Sequence, residues 1–277
     1  MRSLMLLVSL AGPLAFAATE PLAIVQPVIS QMEEGAASPA GFYYTPGEVL
    51  FFSCRVAHYT KTADLKVHIS YSVEAFDPNG VQLNETYKNE FNEEVTIEDK
   101  DWMPRIQTQV MIPPLAGSGN YKVVVKAEDV LAKTSAQIEV PFEIRGRVVE
   151  PSDTVTVRNF HFFRDEAAKE PVEKAAYHAG ETMWTRFDII GYQYGASNKI
   201  DVSYVVSIML PDGKVLYTQP EPAAEQSQSF YPKRYISGEF SINLKAGVKP
   251  GSYIVAVLVK DAVGNQSYES RHPFTVE

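Results

Sequence analysis

The chain has almost no cysteine: Cys54 is the only one in 277 residues. A lone cysteine excludes an intrachain disulfide framework and any cysteine-built zinc or iron–sulfur centre. Basic charge is also short. Lys and Arg number 25 against 34 Asp and Glu, a net charge of −9, and nucleic-acid binding draws on basic patches that such a chain has little material to build. After the first 17 residues no apolar run approaches the ~20 residues of a membrane-spanning helix. The five histidines (His58, His68, His161, His178 and His272) form neither an HExxH motif nor any short metal-binding pair. A G-x-S-x-G elbow, a P-loop and a dinucleotide fingerprint are missing too. Ala116-Gly-Ser-Gly119 is glycine-rich but leads into a strand, so it offers phosphate no helix N-terminus. These gaps argue against an enzyme, a cofactor and a metal.

The address is written in residues 1–17, MRSLMLLVSLAGPLAFA. Arg2 gives a positive start, Leu4 to Leu10 an apolar core, and Ala15-Phe16-Ala17 a small-x-small cleavage site, the pattern of an export signal. The mature chain is expected in the periplasm or outside the cell, with no membrane span once the signal is removed. Cys54 lies in Val49-Leu-Phe-Phe-Ser-Cys-Arg-Val56, where alternation puts Leu50, Phe52, Cys54 and Val56 on one face. A buried thiol acting as a small hydrophobe is the expectation there.

The chain repeats itself. Tyr44-Thr-Pro-Gly-Glu48 recurs as Tyr177-His-Ala-Gly-Glu181, and the same spacing of 133 carries Tyr59 to Tyr192, Tyr71 to Tyr204 and Pro78-Asn-Gly80 to Pro211-Asp-Gly213. Further on, Gly119-Asn-Tyr-Lys-Val123 matches Gly251-Ser-Tyr-Ile-Val255, Asp129 matches Asp261, and Pro141-Phe142 matches Pro273-Phe274, all at a spacing of 132. One deletion in a loop accounts for the slip. The reading is an internal duplication with domains at 22–147 and 152–277. Val148-Val-Glu-Pro-Ser152 forms a short link stiffened by Pro151, which predicts restricted motion between the domains.

Each repeat reads as strands. Val67, Ile69, Tyr71, Val73 and Ala75 alternate with Lys66, His68, Ser70, Ser72 and Glu74, a period of two with one wet face. Asp77-Pro-Asn-Gly80 and Leu210-Pro-Asp-Gly213 are turn sequences between apolar runs. About seven strands per repeat predict an all-β chain of two tandem antiparallel sandwiches. Asp165 to Ala176, broken by Pro171, reads as a loop.

Gly251-Ser-Tyr-Ile-Val-Ala-Val-Leu-Val-Lys-Asp261, followed by Gly-Asn and a closing Pro-Phe-Thr-Val, resembles the end of bacterial immunoglobulin-like or fibronectin-III-like modules. The resemblance implies an Ig-like sandwich in which Tyr121 and Tyr253 are corner tyrosines whose hydroxyls bond to nearby backbone. The Cys–Trp–Cys pattern of antibody domains is missing, and Phe187 stands where Cys54 stands in the first repeat. Such modules serve adhesion, spacing, carbohydrate binding and assembly, so the resemblance implies architecture more than task.

The expected partner is a protein or a polysaccharide of the cell envelope. For a protein, the candidate face is Val205, Ile254, Ala256 and Leu258. Their counterparts in the first repeat are Ser72, Lys122, Val124 and Lys126, so the second repeat has lost two lysines from an outer sheet face. Such a face is expected to be covered, by the long 217–238 loop, by the first domain or by a partner. For a polysaccharide, the candidates are the aromatics Trp184, Tyr192, Tyr194, Tyr217, Phe230, Tyr231 and Tyr235. An enzyme with a dispersed site would use loop carboxylates such as Asp188 or Glu239. The acidic run Glu90 to Asp101 matches no calcium-loop spacing and reads as a solvated loop or edge strand. Charge is uneven: residues 18–150 hold 11 basic and 19 acidic groups, net −8, and residues 151–277 hold 13 and 15, net −2.

Overall fold

The computed structural model describes residues 20–99 and 101–277; the expected export signal lies outside the described residues. Seventeen strands follow one another. β1 (Ala23–Ser30), β2 (Tyr43–Tyr44), β3 (Val49–Ala57), β4 (Lys66–Phe76), β5 (Tyr87–Glu94), β6 (Arg105–Met111), β7 (Gly119–Asp129) and β8 (Thr134–Ile144) form the N-terminal half. β9 (Thr156–Phe163), β10 (Ala176–Tyr177), β11 (Thr182–Ile190), β12 (Ile200–Met209), β13 (Val215–Thr218), β14 (Ala223–Ser227), β15 (Ile236–Asn243), β16 (Gly251–Asp261) and β17 (Gln266–Val276) form the C-terminal half. The halves thus hold eight and nine strands rather than seven, because a two-residue strand joins each and β14 is extra. Among the described residues no helix is long and apolar enough to cross a membrane.

Each half pairs a three-stranded sheet with a larger one. The first half has orders β1-β3-β6 and β2-β8-β7-β4-β5; the second has β9-β11-β15 and β10-β17-β16-β12-β13, with β14 also on β12. The pairs are antiparallel except for the short β2–β8 and β10–β17. In β4 the buried positions alternate as the sequence predicts. Its inward residues Ile69, Tyr71 and Val73 pack with Leu50, Phe52, Cys54 and Val56 of β3 across the interior. A separate core joins Phe187 and Ile189 to Val202, Val206, Val255 and Val257. Two sheets enclosing one apolar layer is the sandwich solution to burying one face of each. Cys54 is free and buried, and desolvation pushes its thiol up to about 12, which leaves it an inert packing group.

Side-chain contacts recur at the spacing of the sequence repeat. The Tyr44 hydroxyl donates to the Ser30 carbonyl (2.9 Å) and the Tyr177 hydroxyl to the Phe163 carbonyl (3.0 Å). Asp129 is 1% exposed and accepts from the backbone of Leu131, Ala132 and, across the half, Thr60; Asp261, also 1% exposed, accepts from Val263, Gly264 and Gln193. Tyr121 donates to the Gly117 carbonyl (2.9 Å) and Tyr253 to the Lys249 carbonyl (2.7 Å), each four residues back, as expected of corner tyrosines. Tyr71 is buried, whereas Tyr204 is half-buried: its ring meets Phe187 edge-on at 5.2 Å and its hydroxyl donates to the Glu239 carbonyl (3.1 Å).

The second half carries a titratable core contact without a counterpart in the first. His272 of β17 stacks flat on Phe160 of β9, with centroids 3.5 Å apart, and burial pushes its imidazole down to about 4. A histidine whose folded pKa is depressed favours the neutral form. Its contribution to stability is complete above the unfolded value near 6.5 and is lost as pH falls towards 4. Melts at pH 7 and pH 4.5 are expected to differ by about 2 kcal/mol more for the protein than for His272→Phe. An identical pH dependence in the variant would show that other groups set the acid limit.

Candidate functional site

Strand direction sorts the connections of each half to two ends. In the first half, turn 77–81 and loop 115–119 lie at one end, with 58–65, 95–104 and 129–134 at the other. The 77–81 end of the first half meets the end of the second half that carries 190–198 and 228–235. Asp77 is the centre of this joint. Its carboxylate is buried, and Oδ1 accepts from the backbone of Asn79 and Val81 in its own turn (both 2.8 Å). Oδ2 takes partners from the other half: the Tyr231 hydroxyl (3.0 Å) and the Arg234 guanidinium. Burial works against the charge on Arg234, but Tyr231 and Asp77 more than offset it and its pKa rises.

A second ion pair runs the opposite way. Asp188, on β11, is fully buried; Arg147, at the end of the first half, reaches its Oδ2 at 2.8 Å, as does the Asn159 side-chain amide at 2.7 Å. The Arg147 guanidinium also lies 5.3 Å from the centre of the Tyr235 ring. Each half therefore supplies one buried carboxylate and one arginine to the other. Between the two pairs is a cleft of about 510 Å³ lined by Tyr121, Tyr192, Tyr194, Tyr231 and the linking residues 147–152. Gly191 has a φ of +73° on its wall, and a Cβ there would stand 2.0 Å from the Thr154 carbonyl oxygen. Burial raises the pKa of Tyr121, Tyr192, Tyr194 and Tyr231, and each hydroxyl donates a hydrogen bond.

The seven candidate aromatics do not form one platform. Tyr192 and Tyr231 are buried in the joint, Tyr194 beside them is 40% exposed, and Tyr192 and Tyr194 both donate to the Lys233 carbonyl. Tyr235 lies beneath Arg147. Trp184 is on β11 of the small sheet, Tyr217 on edge strand β13, and Phe230 on the loop held by Asn198. The sandwich assigns these side chains to different surfaces. The carboxylates Asp188 and Glu239 are not on loops: both are in paired strands, and Glu239 is engaged by Arg186 at 3.3 Å.

The acidic run is divided. Glu90, Glu93 and Glu94 belong to edge strand β5, with Glu90 bonded to His68 at 2.9 Å, whereas Glu98, Asp99 and Asp101 lie in the loop beyond. Among the described residues no three His, Cys, Asp or Glu side chains converge as metal ligands do.

The candidate apolar face is present on the outer side of the large second sheet. Register sets Val205 opposite Leu258, Ser207 opposite Ala256, and Met209 opposite Ile254. Met209 extends the strip, which sequence reading missed because its counterpart Phe76 gives no contrast in polarity. Ala256 and Met209 are buried, while Val205, Ile254 and Leu258 are half-buried. The matching first-half face is tiled with ion pairs, Lys122 with Glu139 at 2.9 Å and Lys126 with Glu74 at 3.1 Å. The 217–238 segment is not one long loop. Part of it forms β14, which bonds to β12 in the plane of the sheet, and the rest crosses the joint end to β15. The backbone of β12 needs partners along this edge, and in-plane pairing supplies them.

No family model matches the chain, and no curated protein matches it. Solved structures give distant likenesses. The C-terminal domain of the Streptococcus agalactiae AgI/II polypeptide BspA is 9% identical over 91% of this chain and 100% of that one, with a TM-score of 0.32. The C-terminal domain of the Streptococcus pyogenes antigen I/II-family protein AspA is 10% identical over 91% and 99%, also at 0.32. A family 123 glycoside hydrolase from Clostridium perfringens is 14% identical over 45% of this chain and 27% of that one, at 0.31. At TM-scores this low none of these likenesses assigns an activity or a partner.

Proposed function

We propose that the chain is an exported, non-catalytic binding or structural module of the bacterial cell envelope, made of two copies of one Ig-like β-sandwich, 22–147 and 152–277. The export pattern of residues 1–17 supports the location. The contacts repeated at a spacing of 132–133 support the duplication. The observation that carries binding is the replacement of Ser72, Lys122 and Lys126 by the half-buried aliphatics Val205, Ile254 and Leu258 on an outer sheet face. An aliphatic strip left on a sheet face is stabilised only when something covers it. It has no exposed ring on which a sugar could stack, so it fits a protein surface better than a polysaccharide.

The test restores the lost charges with Ile254→Lys and Leu258→Lys together. The variant is expected to melt within about 1 kcal/mol of the parent and to lose the partner that the parent retains from an envelope extract. Equal retention by both proteins would show that the strip is merely exposed. A much lower melting point would mean that the chain covers the face itself.

A further inference from the structure

The turn that Asp77 caps at the joint also carries a reactive pair. Of the asparagines in the chain, only Asn79 precedes a glycine. A backbone nitrogen can attack the side-chain carbonyl carbon of the asparagine before it, and a Cβ on the attacking residue hinders the approach. Gly80 has no Cβ, and the space where one would stand holds no atom within 4 Å. Asn79 is exposed, lines the cleft between the halves, and its side chain makes no hydrogen bond to a described residue. Its carboxamide is therefore free to turn towards Gly80.

The chemistry is a substitution followed by a hydrolysis. Base removes the Gly80 N–H proton, the nitrogen bonds to Asn79 Cγ, and the Cγ–Nδ2 bond breaks with loss of ammonia. Water then opens the cyclic imide. Opening at Cγ gives aspartate. Opening at the backbone carbonyl of residue 79 gives isoaspartate, whose main chain runs through Cβ and Cγ and is longer by a carbon atom. Nothing is oxidised or reduced.

Asp77 stands against this reaction. The Gly80 N–H donates to the Asp77 backbone carbonyl at 3.0 Å, so the attacking nitrogen is engaged while the turn is closed. Asp77 Oδ1 holds the turn closed through the N–H groups of Asn79 and Val81, and Oδ2 is fixed by Tyr231 and Arg234 of the second half. One residue thus ties the reactivity of the turn to the docking of the halves.

We propose that Asn79 deamidates spontaneously, that the Asp77 joint restrains the reaction, and that the isoaspartyl product loosens the joint. The added carbon falls between the N–H groups of residues 79 and 81, so Oδ1 can no longer accept from both.

Ageing the purified protein at mildly alkaline pH and physiological temperature, followed by peptide mass spectrometry, tests this. Asn79 is expected to convert from carboxamide to carboxylic acid at least about fivefold faster than any other asparagine. Asp77→Ala should speed conversion at Asn79 at least about tenfold relative to the other asparagines, because a site that reacts only when open follows the open population. Asp77→Asn, which keeps the turn capped, should speed it less. Small-angle scattering of the aged protein should show a broader spread of distances between the halves, while Asn79→Ser aged alike keeps the parent's distances. Asn79→Asp adds the charge without the extra carbon and should keep them too. Conversion at Asn79 no faster than elsewhere overturns the site, and an unchanged relative rate in Asp77→Ala overturns the restraint. Undisturbed distances in the aged protein, or Asn79→Asp loosened as far as ageing loosens the parent, overturn the role of the longer main chain. The strip at Ile254 and Leu258 takes no part, so these outcomes are independent of the proposed function.

Discussion

Asp77→Ala is expected to destabilise the protein by about 3–5 kcal/mol, more than any surface substitution. The carboxylate oxygens have divided duties. Losing Oδ1 uncaps the backbone of Asn79 and Val81 in the turn. Losing Oδ2 strands the Arg234 guanidinium and the buried Tyr231 hydroxyl. An arginine left without its partner in a partly buried site keeps the desolvation cost of its charge and loses the compensating attraction. Asp77→Asn separates the two duties, because its amide oxygen can still cap the turn while the ion pair is gone. Denaturant melts are expected to rank the parent above Asp77→Asn and Asp77→Ala last. Small-angle scattering should show a broader spread of distances between the halves in both variants. A loss below about 1 kcal/mol in Asp77→Ala would mean that water replaces the carboxylate freely and the joint is not dry.

Gly238→Ala is expected to cost about 2–4 kcal/mol although it adds one methyl group. Its Cβ would lie 2.2 Å from Cε2 and 2.5 Å from Cζ of the Phe187 ring, and a packed ring cannot retreat without displacing its neighbours. The ring is fixed by Phe160, stacked at 5.7 Å, and by Tyr204, edge-on at 5.2 Å. Register pairs Phe187 with Gly238, and in the first half it pairs Cys54 with Ile106. The two halves fill one site by opposite means, large beside none in one and small beside large in the other. Phe187→Cys alone should leave a cavity and cost about 3–5 kcal/mol. Adding Gly238→Ile to it should recover much of that loss, since the pair then reproduces the first half. A double-mutant cycle with no coupling would show that the two positions do not share the space.

That exchange marks where sequence reading succeeds and where it stops. The alternation in β4 was legible because one face of that strand is dry and the other wet. Phe187 was recognisable as the replacement for Cys54 by counting. The glycine that makes room for it was not, because compensation acts across strands and leaves no local pattern. The joint was invisible for the same reason: Asp77 and its partners are 154 and 157 residues apart in the chain. A hint existed in the sequence match, which fails at Asp77, where the second half has Leu210. Residues 217–238 read as a loop because Pro220, Pro222 and Pro232 obscure two short strands. The candidate aromatics were counted correctly as side chains, but the path of the chain, which sequence pattern does not encode, distributed them.

The divided carboxylate of Asp77 also bears on how the protein is made. The first half leaves the ribosome first, and its turn needs only Oδ1, so that half can close while Oδ2 stays hydrated. Water around Oδ2 is removed only when Tyr231 and Arg234 arrive. Docking of the halves exchanges a solvated anion for a neutralised one rather than burying a bare charge. A newly made first half carries a polar, soluble cap at the end that would otherwise attract other unfinished chains.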